Sequence, residues 1–85
     1  MPYIKQARRD VLKPELEDVI SKMMTWGELN YAMTELALGM VRGVSENYDN
    51  LSEVLKTFEA AKLEFYRRKI APYEDKKKEE NGDVY

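Results

Sequence analysis

The sequence contains no cysteine and no histidine, so a chain of 85 residues lacks two common means of stabilising a small core. A domain of this size buries only about 60–65% of the surface that its unfolded chain exposes. Small domains therefore usually depend on disulfides, a bound metal ion or another chain. Disulfides are impossible here, and zinc sites are disfavoured without thiols or imidazoles. The remaining means is association, so we predict a homo-oligomer, with a monomeric helical bundle as the alternative.

Composition and charge exclude several other classes. Hydrophobic residues make up 44% of the chain and charged ones 35%, as in a folded rather than a disordered protein. With 14 basic and 16 acidic residues, no basic field indicates binding to DNA or RNA. No apolar run reaches the roughly 20 residues of a membrane span, and no signal peptide is visible. We therefore expect one cytoplasmic domain over residues 1–85, without catalytic triads, cofactors or a membrane partner.

The apolar spacing predicts an all-α fold with three helices. In the first helix, Leu16, Val19 and the apolar residues after them recur at helical spacing. Pro14 is favoured in a first turn, so the spacing predicts a helix over 14–24. The residues before it, 1–13, show little periodicity and are expected to form an extended arm that lies across another surface.

Capping signals predict where the second helix begins and ends. Thr25 and Glu28 have the spacing of a capping box, in which each side chain accepts a hydrogen bond from the other's amide. The helix is predicted over 26–42, with Gly43 as its C-terminal cap.

The third helix is predicted to begin at an N-cap, Asn50, and to run unbroken to about Ala71. Pro72 then either kinks this helix or starts a new segment, because its ring opposes the carbonyl four residues back. A charged helical tail is expected over 74–80, terminated by Asn81 and Gly82, which leaves 81–85 as a C-terminal tail.

The second helix is apolar over about half of its circumference, which requires more than one packing neighbour. We expect one of these neighbours to belong to another subunit. The residues of this surface are Trp26, Leu29, Ala32, Met33, Leu36, Ala37, Met40 and Val41.

Lys62 falls inside the apolar stripe of the third helix, among Phe58, Phe65 and Tyr66. A charge there is costly unless it is paired or reaches water. One interpretation is that Lys62 extends to solvent or pairs with Glu59. The other is that it lines a pocket and binds an anion.

Other candidate binding residues lie on the second and third helices. Asn30 and Thr34 share one face and could orient a ligand or fix a helix crossing. Cations interleaved with aromatic rings near the end of the third helix could hold a phosphate and stack a base. They could equally form an ordinary exposed face with salt bridges to Glu64 and Glu74. Arg67 and Arg68 point about 100° apart on a helix, so both are expected to serve one site only with a second chain. The predicted ligand-binding set is Asn30, Tyr31, Thr34, Lys62, Tyr66, Arg67, Arg68 and Tyr73.

A magnesium-dependent nucleotide pyrophosphohydrolase is a weaker hypothesis. All-α enzymes of this kind hold magnesium with carboxylate pairs spaced Glu-x-x-Glu and Glu-x-x-Asp on facing helices. After Glu28 the next acid is Glu35, two turns further on, and Glu15 and Asp18 stand at a helix start where acids favour the dipole.

Three stretches carry a resemblance across essentially the whole chain. They are Pro2–Lys5 with Pro14 nearby, Gly27–Ala32, and Lys62–Arg68 continuing through Ala71–Asp75 to Glu80–Tyr85. Together they resemble a family of short uncharacterised proteins found in bacteria and their phages. The resemblance implies a small, all-helical protein and is compatible with a phage origin, but it implies no chemistry.

Two hypotheses of function follow. In the first, the chain is a non-enzymatic homo-oligomer that binds a small anionic, nucleotide-like ligand at a subunit interface. Phage sponges that sequester immune signalling nucleotides are an analogy of size and composition for this hypothesis. In the second, the chain is a protein–protein interaction module without a small ligand.

Overall fold

The computed structural model describes residues 2–85, and within them it contains helices and connecting segments without any strand. The prediction of an all-α fold is therefore confirmed. The elements are α1 (Gln6–Lys22), α2 (Trp26–Val44), α3 (Tyr48–Phe65), a π-helical turn (Tyr66–Ile70) and α4 (Ala71–Asn81).

The first helix is longer than its pattern indicated. α1 begins at Gln6, so the expected extended arm over 1–13 is wrong for residues 6–13, and Pro14 lies inside the helix instead of in its first turn. A proline there leaves the carbonyl of Asp10 without its usual amide donor. Local side-chain contacts support the turn before it, since Gln6 Nε2 donates to Asp10 Oδ1 at 2.8 Å.

The predicted start of α2 is confirmed, with one change of partner. Thr25 Oγ1 accepts a hydrogen bond from the amide of Glu28 at 3.1 Å. The Glu28 carboxylate accepts from the amide of Met24, also at 3.1 Å, where the sequence predicted the amide of Thr25. At the other end, α2 continues to Val44. Gly43 is therefore not the predicted cap, and it does not adopt the positive φ of such a cap.

The third helix begins earlier than predicted because Asn47, and not Asn50, is its N-cap. The Asn47 side chain accepts from the amide of Asn50 at 2.8 Å. The side chain of Asn50 donates instead to the carbonyl of Ser45 at 3.0 Å, which ties the first turn of α3 to the connection from α2.

A π-helical turn interrupts the predicted continuous helix just before Pro72. The amide of Ala71 donates to the carbonyl of Tyr66, five residues back. Pro72 has no amide hydrogen and its ring would crowd the carbonyl of Arg68 in a regular α-helix. The extra residue in the wider turn accommodates the proline while the chain stays helical. The kink itself stays a prediction.

The end of the last helix is as predicted. α4 ends at Asn81, and Gly82 adopts a φ of 85°, a backbone conformation that favours glycine. The amide of Gly82 donates to the carbonyl of Lys78 at 2.9 Å, so the last turn is closed.

The apolar core is confined to one corner of the chain, where α2 turns into α3. Val41, 3% exposed, is the only buried side chain among residues 2–85. α2 packs against α3, whereas α1 packs against no other helix. Half-buried apolar side chains on the two sides of this corner are Ala37, Leu38, Val54 and Phe58.

The overall dimensions agree with this small core. The radius of gyration of the chain is 16.6 Å, and its principal extents are 50 × 31 × 29 Å. A compact domain of this length has a radius of gyration of about 12 Å. The single chain is therefore an open arrangement of helices. None of the helices within residues 2–85 combines the length and the apolar character needed to cross a membrane.

Candidate functional site

A cluster of polar side chains joins the N-terminal segment to the end of α3; we call it the Tyr3 cluster. The Tyr3 hydroxyl donates to Glu64 Oε1 at 2.5 Å. Arg67 Nη2 donates to the same carboxylate oxygen at 2.8 Å and to the Tyr3 hydroxyl at 2.9 Å. Arg68 Nη1 lies 3.3 Å from the Tyr3 hydroxyl and 3.7 Å from Glu64 Oε1. The two arginines thus converge on two oxygen atoms, one from Tyr3 and one from Glu64.

Sequence spacing explains why the two arginines meet. Arg67 and Arg68 follow Glu64 by three and four residues, and both of these spacings bring side chains together on a helix. The expectation that the two arginines need a second chain to serve one site is therefore wrong. Long guanidinium side chains reach one carboxylate oxygen although their Cα–Cβ bonds point in different directions.

The electrostatics of the cluster favour the ionised carboxylate. The hydrogen bond from Tyr3 lowers the pKa of Glu64 below its ordinary value of 4.5, and the hydrogen bond and charge of Arg67 act in the same direction. In return, the carboxylate raises the pKa of Arg67. The Glu64 side chain is 21% exposed, but those of Arg67 and Arg68 are 65% and 57% exposed. Two accessible cations thus surround one shielded anion, and their outer N–H groups can bind a further anion.

Tyr3 is the member of this cluster that the predicted set lacked. Residues 2–5 before α1 have no regular secondary structure. Arg9 Nε donates to the carbonyl of Ile4 at 2.8 Å, which holds this segment against the first turn of α1. Tyr3 belongs to one of the three stretches of the resemblance, the only sequence signal that points to it.

The side chain of Lys62 reaches solvent within this chain. Its side chain is 74% exposed, and its Nζ is 3.8 Å from Glu59 Oε1. This contact is the ion pair considered as one interpretation from the sequence. Enclosure of Lys62 would require a second chain and stays a prediction.

The candidate residues on α2 are not joined to the Tyr3 cluster. Thr34 Oγ1 donates to the backbone carbonyl of Asn30 at 3.0 Å, so this hydroxyl is used within its own helix. Tyr31 is exposed. Within residues 2–85, no hydrogen bond or ion pair links these side chains to Lys62 or to the two arginines.

The two other predicted tyrosines have partners on α4. The Tyr66 hydroxyl is 3.5 Å from Glu74 Oε2. Lys77 Nζ lies 5.6 Å from the centre of the Tyr73 ring, within range of a cation–π contact. Both rings remain exposed, so they are accessible for stacking but are not aligned with the Tyr3 cluster by any hydrogen bond among the described residues.

The carboxylates considered for magnesium do not converge. Among residues 2–85, no three acidic side chains lie close enough to hold a metal ion together. Glu28, the first of these candidates, caps α2 with its carboxylate.

Apolar side chains cover much of the remaining surface. Where α1 turns into α2, a shallow depression is lined by Ile20, Met23, Met24, Trp26 and Leu29. The indole of Trp26 is 86% exposed. Other exposed apolar residues of α2 and α3 are Leu36, Met40, Leu55, Leu63 and Phe65.

Comparison with known proteins adds a family but no chemistry. No curated protein and no solved structure matches the chain. A family model described as "Domain of unknown function (DUF6899)" matches residues 1–84, and the chain belongs to that family.

Proposed function

We propose that this chain acts by associating with other protein chains, and first of all with copies of itself. One observation carries the proposal: Val41 is the only buried side chain among residues 2–85, while large apolar side chains are exposed on all three long helices. This corresponds to the oligomer predicted from the sequence and to the hypothesis of an interaction module.

The physical reason is the cost of apolar surface in water. Burial of apolar surface stabilises a fold by about 25 cal/mol per Å², and the core of a chain of this size supplies only a small net stability. Monomeric proteins rarely expose contiguous apolar patches larger than a few hundred Å². A second copy would cover such patches and supply the packing that the α2–α3 corner alone does not.

Light scattering after gel filtration tests this proposal. We expect a mass that is a multiple of the 10.0 kDa chain and a thermal midpoint that rises with protein concentration. The single tryptophan, Trp26, provides a second readout, because its emission should shift to shorter wavelength as the oligomer forms. A monomer with a cooperative, concentration-independent transition and solvent-like Trp26 emission would contradict the proposal.

A second candidate function is binding of a small anionic, nucleotide-like ligand. It is favoured by the convergence of Arg67 and Arg68 on one carboxylate oxygen, since a phosphate offers oxygens that guanidinium groups bind in the same way. Tyr66 and Tyr73 are exposed for stacking on a base. In the predicted arrangement, Lys62 would add a charge and Asn30, Tyr31 and Thr34 would orient the ligand across a subunit interface.

Native mass spectrometry with a panel of nucleotides and cyclic dinucleotides tests the second candidate. We expect a binder whose affinity falls in Arg67→Gln and in Arg68→Gln but is kept in Lys69→Gln, the matched control on the same turn. Loss of binding in Lys62→Ala would place the lysine in the site as well. The absence of any binder above background, or equal affinity in all variants, would exclude this function.

A further inference from the structure

We propose that α1 forms an antiparallel pair with α1 of a second copy of the chain. This inference rests on the proposed self-association and identifies the surface that carries it. α1 is the only one of the three long helices in residues 2–85 that packs against no other helix.

Three apolar residues of α1, together with the residue that caps its C-terminal end, form a stripe of the width that helix pairing needs. At 100° per residue, Leu12, Leu16 and Val19 of α1 and its C-cap Met23 fall within an arc of about 60°. Leu12, Leu16 and Val19 are 43%, 45% and 42% exposed and Met23 is half-buried, so none of the four is fully covered in the single chain. Their spacing of four, three and four residues is that of alternating core positions in a coiled coil.

Pro14 does not obstruct this surface. It lies about 180° from the centre of the stripe, so the carbonyl of Asp10 that it leaves without a donor also lies away from the pairing face. The apolar stripe ends at Arg9, whose side chain is charged and donates a hydrogen bond from Nε to the carbonyl of Ile4 at 2.8 Å.

The stripe is complementary to itself in the antiparallel direction. A two-fold axis between residues 17 and 18 places Leu16 against Val19 of the second copy and Leu12 against Met23 of the second copy. Symmetry repeats each contact, which gives four apolar layers from one helix sequence. Such an isologous contact is the commonest form of homo-oligomer interface.

The flanking charges select this direction. In the antiparallel register, Glu15 lies beside Lys22 of the second copy, and symmetry again gives two such pairs. Lys22 already contacts Asp18 at 3.1 Å in its own chain, but an ammonium group has three donors and can serve both carboxylates. A parallel pair would instead place Arg8 beside Lys13 of the second copy, where like charges repel. Charge complementarity therefore favours the antiparallel arrangement and a second copy of this chain as the occupant.

Introduced cysteines test the geometry, since the natural sequence contains none. A mixture of Leu12→Cys and Met23→Cys chains, dissociated, remixed and oxidised, should form a disulfide between the two variants. Leu12→Cys alone should not, because two copies of residue 12 would lie about 16 Å apart along antiparallel helices, beyond the reach of a disulfide. Cross-linking of Leu12→Cys with itself and not in the mixture would overturn the antiparallel arrangement.

Reversal of the flanking charges tests the register of the antiparallel pair. These charges lie on an exposed face, so folding of the single chain should not depend on them. We expect Glu15→Lys and Lys22→Glu each to raise the dissociation constant about tenfold, because two symmetric pairs become repulsive. The double variant should restore it, and Glu17→Lys, outside the pairing face, should leave it unchanged. Circular dichroism should show equal helix content in all four variants.

The two proposals fail in different ways. If the natural chain is monomeric, self-association itself is wrong. If it is oligomeric but the mixture does not cross-link and the double variant does not recover, α1 is not the pairing surface while self-association stands.

Discussion

Two contacts of opposite character join different segments of the chain. At the α2–α3 corner, apolar side chains gather around Val41, the only buried residue in the described part of the chain. At the other contact, Tyr3 donates a hydrogen bond to Glu64 at the end of α3 and accepts one from Arg67 in the π-helical turn that follows. The first contact depends on close packing of apolar side chains and exclusion of water, and the second depends on hydrogen-bond direction and charge.

This difference indicates what each contact can do. Apolar packing is non-directional and strengthens with every further surface that covers it, so the α2–α3 corner can grow when another chain packs on it. The Tyr3 cluster is largely exposed and its strength depends on the ionisation of Glu64. We therefore expect the corner to determine stability and the cluster to determine only where the N-terminal segment lies.

The largest expected effect is at the apolar corner. Val41→Ala should lower the free energy of unfolding by about 2 kcal/mol, because two buried carbon groups are lost and a small cavity is left. Chemical denaturation at fixed protein concentration measures this change. The matched control is Val44→Ala, one turn further along α2 and exposed, which should have little effect. Equal losses in both variants would show that Val41 is not the centre of the core.

A smaller effect of opposite sign is expected in the uncovered part of α2. A Cβ added at Gly39 meets no atom within 4 Å, so Gly39→Ala should stabilise the helix by up to about 1 kcal/mol. Gly82→Ala is the contrast, since φ at Gly82 is 85° and a side chain there is strained. Thermal unfolding distinguishes the two. Dissociation of the oligomer by Gly39→Ala would mean that another chain packs closely against this glycine.

Removal of one hydroxyl from the Tyr3 cluster should have a weaker and more local effect. Tyr3→Phe loses the hydrogen bond to Glu64 and those from the arginines, so the N-terminal segment and the first turn of α1 should exchange amide hydrogens faster. The thermal midpoint should change less than in Val41→Ala. Tyr85→Phe, at an exposed terminus, is the control. Unchanged exchange in residues 2–9 would show that the cluster does not hold this segment.

The smallest expected effect is that of low pH on the docking of the N-terminal segment, and its direction follows from the lowered pKa of Glu64. Because the folded state lowers the pKa of this carboxyl, its contribution to docking is complete above the ordinary value of 4.5 and is lost as pH falls through the lower folded value. Docking of the N-terminal segment through Tyr3 should therefore be constant near neutral pH and weaken only at acidic pH. The NMR signals of the Tyr3 ring report it. Glu64→Gln should remove the dependence, and Glu59→Gln should leave it; a transition near neutral pH would contradict the assignment to Glu64.

Local signals in the sequence predicted some helix ends well and others poorly. Thr25 was predicted as an N-cap and Gly82 as a terminator, because each acts through hydrogen bonds within four residues. Asn50 was the wrong cap, since Asn47 offers the same chemistry three residues earlier. The side chain of Asn50 bonds to Ser45 instead, and only the path of the turn decides between them.

The candidate site could be predicted only in part. The convergence of Arg67 and Arg68 on Glu64 follows from helical spacing, but the effect of Pro72 on the turn that contains both arginines was not anticipated. Lys62 was a candidate because it is a charge within the apolar stripe of α3, yet in one chain its side chain is 74% exposed and its ammonium lies 3.8 Å from Glu59 Oε1.

The sequence by itself determined the helical class, the exclusion of disulfides and the spacing that groups Glu64 with its arginines, because these depend on composition and on neighbours a few residues apart. Only the tertiary structure decided that Tyr3 joins that group across 61 residues and that α1 is left without a packing partner. Contacts between distant segments depend on the direction in which each turn sends the next helix, and no local pattern encodes that direction.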